Sequence, residues 1–369
     1  MKLRYKILNS LLGLLILFIG VIAVVMSYTS DCEPLNPRAI ESNSMKAITY
    51  RCYGGPDVLE YVDVTKPTPA PNEVLVKVYS AGVNPLDYHY MRGTPYIMRL
   101  MGSGIGAPES QSMGVDFSGV VEAVGENVTK FKVGDAVFGG RSGAFAEYLI
   151  VPEDKGIVLK PDNITHDQAA GVAIAGITAL QAVRDLGQVK AGDKVLINGA
   201  SGGVGTFAVQ IAKYLGADVT GVNSTRNVEM VLGIGADRVI DYKKDNYISQ
   251  GIKYNVIVDM VANNSLSNNL DILTPDGRMV NVGAIEKGNW IGPLIKPIAS
   301  SLMNPFVEQE IQTLFARIDQ DDLKLLAKIM AEGKLTPVLD KSYALSETGQ
   351  AIAYSETGRA RGKIIINVQ

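Results

Sequence analysis

Residues Lys194–Arg226 read KVLINGASGGVGTFAVQIAKYLGADVTGVNSTR, and this stretch predicts a nucleotide-binding unit. The apolar run Val195–Ile197 predicts a short buried strand, Val204–Leu215 a helix with one apolar face, and Val219–Val222 a second strand. The turn after the first strand contains glycines, which have no Cβ to block a ligand: Gly199, Gly202, Gly203 and Gly205. Unpaired N–H groups at the helix N-terminus favour a pyrophosphate. The strand–turn–helix–strand order favours a nucleotide site over a turn that only packs the helix on the strand.

The end of the second strand indicates which nucleotide is bound. A site for NAD(H) usually carries Asp or Glu there, which accepts hydrogen bonds from the ribose 2′-hydroxyl. This chain has Asn223 instead, followed by Ser224, Thr225 and Arg226. Two hydroxyls and a guanidinium can hold a 2′-phosphate through charge-assisted hydrogen bonds, whereas a carboxylate would repel it. We therefore expect NADP(H) as the cofactor, and the same residues can also cap the next helix.

Length and composition bound the remaining classes of protein. With 369 residues the chain has room for two domains, and its formal net charge of −3 disfavours a nucleic-acid partner. The two cysteines, Cys32 and Cys52, are too few for a disulfide framework or a cysteine-rich metal site. For Cys32, the alternatives are lipidation, pairing with Cys52 and an inert thiol.

The N-terminus differs in composition from the rest of the chain. No charged residue occurs between Lys6 and Asp31, and Leu11–Met26 is uninterruptedly apolar. A charge-free span of about 20 residues can cross a bilayer as a helix, whereas the apolar region of a cleaved signal peptide is usually about 7–15 residues. We predict a single-pass transmembrane anchor in residues 1–30, with a cleaved signal as the alternative, and a polar linker in residues 31–44.

The charges that flank this span conflict with the predicted cofactor. Basic residues precede the span and acidic residues follow it, namely Lys2, Arg4 and Lys6 before, and Asp31 and Glu33 after. The positive-inside rule therefore places the globular part outside the cytoplasm. NADPH, however, is a cytoplasmic cofactor. We prefer a cytoplasmic-facing domain on the membrane because the nucleotide site is intact.

Beyond the linker, the pattern of strands and helices divides an α/β chain into two domains. Residues 45–160 contain short alternating strands such as Glu73–Ala81 and Phe117–Val124, which predict an antiparallel barrel or sandwich. In residues 161–319 strands and helices alternate, which predicts a parallel sheet covered by helices. Residues 320–369 return to strand, helix and strand, and we expect them to rejoin the first domain and leave a cleft.

Seven segments of the globular part carry a family resemblance. They are AGVNPLDYHYMRG (Ala81–Gly93), GVDFSGVVEAVG (Gly114–Gly125), VGDAVFG (Val133–Gly139), AGITALQAV (Ala175–Val183), ASGGVG (Ala200–Gly205), GADRVIDY (Gly235–Tyr242) and GRARGKIIINV (Gly358–Val368). In this order they resemble the medium-chain dehydrogenases/reductases, specifically the zinc-independent quinone and enone reductases of the reticulon-4-interacting-protein-like branch. The resemblance implies a GroES-like β-barrel catalytic domain in residues 45–160 plus 320–369. It also implies a Rossmann doubly wound parallel sheet that binds NADP(H) in residues 161–319.

The residues that bind the catalytic zinc in related enzymes are replaced here. Those enzymes have Cys at the position of Asn84 and Gly-His-Glu at the positions of Gly114, Val115 and Asp116. A third ligand from the region of Ala175–Gly176 is also absent, and the loop that carries a structural zinc has no cysteine. Zinc needs three or four N, S or carboxylate ligands, so Asp116 cannot hold it alone. We predict no metal.

Without zinc, a conjugated acceptor is easier to reduce than an isolated carbonyl, because hydride addition leaves a delocalised enolate that hydrogen-bond donors can stabilise. The resemblance places Asn84 near the nicotinamide and substrate, where it would polarise or position the acceptor. It can also begin the helix Pro85–Met91 through an Asx turn. Tyr88, one turn further, would donate a proton or pack in the cleft wall. His89 aligns with the relay histidine of zinc enzymes, but Leu86 replaces the hydroxyl that starts that relay.

The resemblance also implies cofactor contacts along the cleft. They are Thr178, Val282, Gly283 and Ala284 near the nicotinamide; Ala200, Ser201, Gly202, Gly203, Val204 and Gly205 at the pyrophosphate; Ser224, Thr225 and Arg226 at the 2′-phosphate; Tyr242 beside the adenosine; and Lys363 at the cleft edge. Asp87 is expected to anchor its loop, with Arg92 as partner. The stretch Asp259–Ala262 lacks the family's usual glycine. The larger side chains could crowd the nicotinamide, which argues against full catalytic activity.

Two functions are compatible with these features. The first is a membrane-tethered NADPH-dependent reductase of quinones or α,β-unsaturated carbonyls, because an anchor would hold a small lipophilic acceptor nearby. The second is a membrane-anchored NADP(H)-binding interaction protein with little turnover, which Asp259–Ala262 favours. The apolar segments Tyr96–Ile105 and Trp290–Phe306 are compatible with a substrate lid or a membrane surface, and equally with a homodimer contact plus ordinary core.

Overall fold

Two large β-sheets and the helices around them organise the chain. The computed structural model describes residues 2–32, 43–282, 289–290 and 292–369. The strands are β1 (Ser44–Thr49), β2 (Glu60–Thr65), β3 (Glu73–Val83), β4 (Asp116–Val124), β5 (Ala136–Gly140), β6 (Tyr148–Pro152), β7 (Ile157–Leu159), β8 (Lys194–Asn198), β9 (Asp218–Asn223), β10 (Arg238–Asp241), β11 (Tyr254–Asp259), β12 (Leu273–Asn281), β13 (Glu310–Thr313), β14 (Leu339–Ala344) and β15 (Lys363–Asn367). The helices are α1 (Lys2–Ser27), α2 (Pro85–Arg92), α3 (His166–Ala170), α4 (Ala173–Leu180), α5 (Gly203–Tyr214), α6 (Val228–Gly233), α7 (Leu266–Leu270), α8 (Gly292–Met303), α9 (Gln320–Ala331) and α10 (Thr348–Glu356).

Six parallel strands form one sheet in the order β10-β9-β8-β11-β12-β13. Strands β8 to β10 extend to one side and β11 to β13 to the other, so the strand order reverses between β8 and β11. Both faces are covered, because Val195 and Ile197 of β8 pack with Phe207 of α5 in one core while Leu196 packs in a second core. In such sheets ligands bind at the carboxyl ends of the strands, next to the reversal.

The second sheet has seven strands in the order β14-β15-β3-β4-β5-β7, with β6 also paired to β3. The C-terminal strand β15 is antiparallel to β3 and places Ile365 opposite Gly82, and Gly82 also lies opposite Asp116 at the start of β4. This pairing brings Lys363, the first residue of β15, to the same end of the sheet as Asp116. The end of the chain thus supplies a residue to the region where α2 begins.

The predicted strands and helices are confirmed with small shifts of their ends, and the α/β fold class is confirmed with them. The helix predicted at Val204–Leu215 is Gly203–Tyr214, and the strand predicted at Phe117–Val124 is Asp116–Val124. The glycine turn and the apolar periodicity are local signals, which explains why they could be placed closely.

The prediction of a membrane anchor in residues 1–30 is wrong. Spanning a bilayer takes about 20 consecutive, predominantly apolar residues in one helix. Within the ranges that the structure describes, no helix combines that length with that apolarity. The predicted single-pass membrane localisation, with its cytoplasmic-facing domain, is corrected accordingly.

The segment after α1 is attached to the part of the chain around the second sheet. Cys32 forms a disulfide with Cys52, with their Cα atoms 5.1 Å apart. Arg99 donates hydrogen bonds to the carbonyl oxygens of Met26 and Tyr28 at 2.9 and 2.6 Å. Of the alternatives that the sequence leaves open for Cys32, the structure therefore shows pairing with Cys52. Most of the predicted linker, residues 33–42, lies outside the described residues.

Candidate active site

A glycine-rich turn at the carboxyl end of β8 forms the nucleotide-binding part of the site. Gly199 has a φ of 94°, and a Cβ on Gly205 would collide with the Gly199 carbonyl oxygen, so both positions require glycine. Gly202 is the N-cap of α5, whose first N–H groups have no partner within the helix. Among the described atoms, a Cβ on Gly202 would meet only the Gly199 oxygen, at 3.5 Å. The turn is therefore open to the phosphates of a nucleotide.

Two buried acceptors beside this turn fit a bound nucleotide. Among the described residues, Asn223 Oδ1 and Asn227 Oδ1 are buried without a hydrogen-bond partner. Asn223 ends β9, and Asn227 Nδ2 donates to Ser201 Oγ in the turn at 2.9 Å. A buried acceptor without a donor costs roughly 1–3 kcal/mol, and ribose hydroxyls can supply the missing donors. The residues present thus fit the predicted dinucleotide.

The residues predicted for the 2′-phosphate follow β9. Ser224 is nearly buried, and Thr225 Oγ1 donates to Asp241 Oδ2 at 2.6 Å. Arg226 is exposed and its guanidinium donates to the Arg359 carbonyl oxygen at 2.6 Å. Tyr242, predicted beside the adenosine, follows Asp241 directly and is 57% exposed. The structure brings these residues together at the outer end of the crevice, and their contacts with a cofactor stay predictions.

A buried polar cluster surrounds Asn84 on the other side of the turn. Asn84, Asp116 and Lys363 are each at most 2% exposed. Lys363 Nζ donates to Asn84 Oδ1 at 2.5 Å and to Asp116 Oδ2 at 3.2 Å. Asp116 Oδ1 accepts the Ile174 N–H at 2.9 Å, and Asn84 Nδ2 donates to the Gly82 carbonyl oxygen at 3.3 Å. We call Asn84, Asp116 and Lys363 the Asn84 cluster.

The Asn84 cluster contains a contact that the sequence did not predict. Asn84 and Lys363 were both expected at the site, but not bonded to each other, and Asp116 was considered only as a metal ligand. Burial raises the pKa of Asp116, although the Lys363 ammonium and the Ile174 N–H oppose this shift. The sequence signal that could have revealed the contact of Lys363 with Asp116 is that each is a single charged residue at the start of an apolar strand, β15 and β4 respectively.

Asp87 stabilises the start of α2 and does not pair with Arg92. Its carboxylate accepts the Asn84 N–H at 2.7 Å, and burial raises the pKa of Asp87 to about 7. Arg92 instead forms an ion pair with Glu356 at the end of α10. The expected partner was wrong because residues five positions apart on a helix lie on different faces.

Tyr88 and His89 lie further along α2. Burial and the nearby Glu356 carboxylate raise the pKa of Tyr88, so the phenol keeps its proton at neutral pH. Tyr88 packs against the core of the second sheet, and its role as a proton donor stays a prediction. His89 Nδ1 lies 2.9 Å from the Thr94 carbonyl oxygen, and burial lowers its pKa. A neutral imidazole that holds the end of α2 explains His89 without a relay.

The residues predicted at the nicotinamide are described only in part. Thr178 lies in α4 and its hydroxyl donates to the Ile174 carbonyl oxygen at 2.6 Å. Val282 follows β12 and is half-buried. Gly283 and Ala284 lie outside the described residues. The predicted nicotinamide contacts therefore stay predictions.

The stretch after β11 borders the glycine turn. Asp259 Oδ1 accepts the N–H groups of Val261 at 3.0 Å and Ala262 at 2.8 Å. Ala262 has a φ of 60°, a left-handed conformation that favours glycine. A Cβ on Gly199 would lie 2.9 Å from Val261 Cγ2. Val261 is therefore close to the turn, and its effect on turnover stays a prediction.

Metal ligands are scarce in the same region. Over the part of the chain that the structure describes, no group of three or more His, Cys, Asp or Glu side chains could hold a metal ion. Asn84 and Val115 stand where the resemblance expects Cys and His, and neither is a common zinc ligand. Zinc independence stays a prediction.

Comparison with known proteins assigns the family. Residues 70–162 match the model of the alcohol dehydrogenase GroES-like domain, and residues 234–366 match that of the zinc-binding dehydrogenases. The quinone oxidoreductase of Sus scrofa is 36% identical over 342 residues, which cover 87% of this chain and 97% of that protein. The trans-enoyl reductase pgmF of Aspergillus terreus is 34% identical over 326 residues, which cover 81% of this chain and 87% of that protein.

A solved structure agrees in fold over the same span. The quinone oxidoreductase from Coxiella burnetii aligns with a TM-score of 0.77 at 30% identity and covers 88% of this chain and 100% of its own. The two sheets described above therefore correspond to a GroES-like and a Rossmann-like domain. The chain belongs to the medium-chain dehydrogenase/reductase family, with quinone and enoyl reductases among its relatives.

Proposed function

We propose that this protein is an NADPH-dependent reductase that transfers a hydride to a quinone or an α,β-unsaturated carbonyl without zinc. A quinone oxidoreductase and a trans-enoyl reductase among the relatives support this substrate class. The segments AGVNPLDYHYMRG and GRARGKIIINV favour the reticulon-4-interacting-protein-like branch of these reductases.

The observation that carries the proposal is the adjacency of the nucleotide turn and the Asn84 cluster. The Gly362 N–H donates to the Ser201 carbonyl oxygen at 3.0 Å, and the next residue, Lys363, donates to Asn84 Oδ1. A nucleotide held by the turn would therefore lie beside Asn84. That neighbourhood suits transfer between a nicotinamide and an acceptor bound at Asn84.

The chemistry needs a stabilised oxygen and a proton. NADPH, when bound, supplies a hydride, which a conjugated acceptor takes at carbon while negative charge develops on its oxygen. We assign Asn84 Nδ2 as the donor that stabilises this oxygen. Tyr88, one helical turn from Asn84 on α2, is assigned the protonation that completes the reduction.

Two features support the finer parts of the proposal. The Lys363 ammonium lies 2.5 Å from Asn84 Oδ1, so a Zn²⁺ ion at Asn84 would be repelled by an adjacent like charge. The exposed Arg226 guanidinium follows the end of β9, where Asn223 stands in place of the acid of an NAD site. The first supports independence from zinc and the second supports a preference for NADPH.

The test is NADPH oxidation by the full chain with menadione, trans-2-nonenal and nonanal as acceptors, before and after exhaustive chelation. We expect NADPH oxidation with the quinone or the enal. The rate with the saturated aldehyde should be lower by about tenfold or more, because this acceptor cannot delocalise the charge. Chelation should leave the rate unchanged. Stoichiometric zinc in the purified protein, with activity that depends on it, would refute the zinc-free mechanism.

A second candidate is an NADP(H)-binding interaction protein with little turnover. The observation that favours it is the position of Val261 beside Gly199, together with the left-handed backbone of Ala262. Tight NADPH binding without oxidation in the presence of any of the three acceptors would support this candidate over the reductase.

A further inference from the structure

Lys363 connects the nucleotide turn to Asn84 in a way that the predicted cofactor contact does not require. Its side chain is nearly buried, and its ammonium lies 2.5 Å from Asn84 Oδ1 and 3.2 Å from Asp116 Oδ2. We propose that Lys363 is a positioning residue that determines which atom of the Asn84 amide is presented to the substrate. This rests on the reductase function proposed above, in which Asn84 stabilises the acceptor oxygen.

The chemistry of the amide explains why a lysine matters here. Asparagine can present either an acceptor oxygen or two N–H donors, and half a turn of its terminal torsion exchanges them. Lys363 can only donate, so Asn84 Oδ1 points to it. Nδ2 then donates to the Gly82 carbonyl oxygen at 3.3 Å, and the amide also hydrogen-bonds the Asp116 carboxylate, so a substrate oxygen has to compete with Asp116 for an N–H. The Gly82 contact is long, so Lys363 is the stronger of these two orienting contacts, and a reversed amide would present an oxygen that repels an enolate.

The ammonium is held from the cofactor side of the crevice. The Gly362 N–H is bonded to the Ser201 carbonyl oxygen of the nucleotide turn. The aliphatic part of the Lys363 side chain lies close to two glycines. A Cβ added to Gly171 would lie 3.1 Å from Lys363 Cγ, and a Cβ added to Gly203 would lie 3.4 Å from Lys363 Cδ. The nucleotide turn and the Asn84 amide are therefore positioned by one residue.

Asp116 makes the buried ammonium tolerable. An unpaired charge in a protein interior is strongly unfavourable, whereas a paired and hydrogen-bonded one can be accommodated. Asp116 supplies the opposite charge, and its second oxygen accepts the Ile174 N–H. Removing Lys363 alone would leave the Asp116 carboxylate buried without its partner. A loss of activity could then come from a folding defect as well as from a wrongly oriented Asn84 amide. Removing both charges together separates the two effects.

The test compares the full chain with the double variant Lys363→Met/Asp116→Asn. Lys213→Met/Asp237→Asn is the matched control, because it removes an ion pair of 2.7 Å that lies on the surface of the protein away from the cluster. We expect the double variant to unfold at nearly the wild-type urea concentration and to bind NADPH within about threefold of wild type. Its kcat with menadione should fall roughly 10²- to 10³-fold, the range for one lost oxyanion donor. The control pair should leave the NADPH affinity and the kcat with menadione unchanged.

A second measurement does not depend on turnover. Isothermal titration calorimetry of the NADP⁺ complex with menadione measures quinone binding directly. We expect the double variant to bind menadione about tenfold more weakly. If the wild-type protein binds menadione but does not turn over, the reductase function fails while this comparison still tests Lys363. A folded double variant with wild-type kcat and wild-type menadione affinity would overturn the proposal, as would a loss confined to NADPH binding.

Discussion

The Arg99 guanidinium donates a hydrogen bond to the Met26 carbonyl oxygen at 2.9 Å, which joins the end of α1 to the loop that follows α2. The same group donates to the carbonyl oxygens of Tyr28 at 2.6 Å and Gly93 at 2.8 Å. It also lies over the Tyr53 ring, 4.3 Å from the centroid, and the residue is only 3% exposed. A cation at a helix C-terminus is stabilised by the partial negative charge there. Arg99 thus holds three segments together from a buried position.

Replacing Arg99 with Met should destabilise the protein strongly, because three carbonyl oxygens lose a charged donor. We expect the free energy of unfolding to fall by about 3–5 kcal/mol, because each buried carbonyl oxygen left without its donor costs roughly 1–3 kcal/mol. Urea denaturation measures this quantity. The exposed Arg141→Met is the control and should change it by less than about 0.5 kcal/mol. Equal effects of the two substitutions would contradict the contacts described for Arg99.

Replacing Ala262 with Gly should not destabilise the protein, unlike most Ala→Gly substitutions. Ala262 has a φ of 60°, a conformation that costs an L-residue roughly 1–2 kcal/mol and glycine almost nothing. Relief of that strain should offset the backbone entropy that glycine loses, so the free energy of unfolding should stay constant or rise by up to about 1 kcal/mol. The exposed Ala353 of α10 is the control, where Ala→Gly should cost about 1 kcal/mol in the same urea experiment. A comparable loss at both positions would show that Ala262 is not strained.

Local structure could be predicted from the sequence because its signals lie within short stretches of chain. The turn that starts α5 needs glycine at Gly199 and Gly205, and these residues are visible in the sequence together with the strand before them. Asn84 could also be placed at the start of α2, because Asn and Pro at consecutive positions favour a helix beginning. Such features depend on neighbours along the chain.

The contacts within the site could not be predicted because they join distant parts of the chain. Lys363 and Asn84 are 279 residues apart, and Arg92 and Glu356 are 264 apart. Which acid meets which base is decided by the pairing of β15 with β3 and by the packing of α10 on α2. The membrane prediction likewise used local composition alone, namely the charge-free span between Lys6 and Asp31 and the apolar run Leu11–Met26.

Asp87 should make the stability of the protein depend on pH in a defined direction. Burial raises the pKa of Asp87 in the folded protein to about 7, whereas the unfolded chain has a value of about 3.9. The folded state therefore keeps a proton that the unfolded state releases, and this contribution to the free energy of unfolding is complete below about pH 4 and is lost as the pH rises through about 7. Asp87→Asn cannot titrate, so the fall between about pH 5 and pH 7 should be shallower in that variant.

Urea denaturation of the wild type and of Asp87→Asn across this pH range measures the difference. The exposed Asp154→Asn is the control and should follow the wild-type profile. A wild-type profile that rises over this range relative to Asp87→Asn would contradict the raised pKa, because it would require the folded state to release the proton first.

Replacing Arg226 with Ala should weaken NADPH binding more than NADH binding. In the structure the Arg226 guanidinium donates to the Arg359 carbonyl oxygen, which is a neutral acceptor. A 2′-phosphate is charged and would be a stronger acceptor for the same guanidinium. Loss of charge-assisted hydrogen bonds costs about 1.5–3 kcal/mol, so the Kd for NADPH should rise about 10- to 150-fold while that for NADH changes little. Titration of intrinsic fluorescence with each nucleotide measures both constants. Arg238→Ala, an exposed arginine of β10, is the control and should leave the ratio of the two constants unchanged. Equal losses for both nucleotides would mean that Arg226 supports the shape of the crevice through Arg359 and does not recognise the 2′-phosphate.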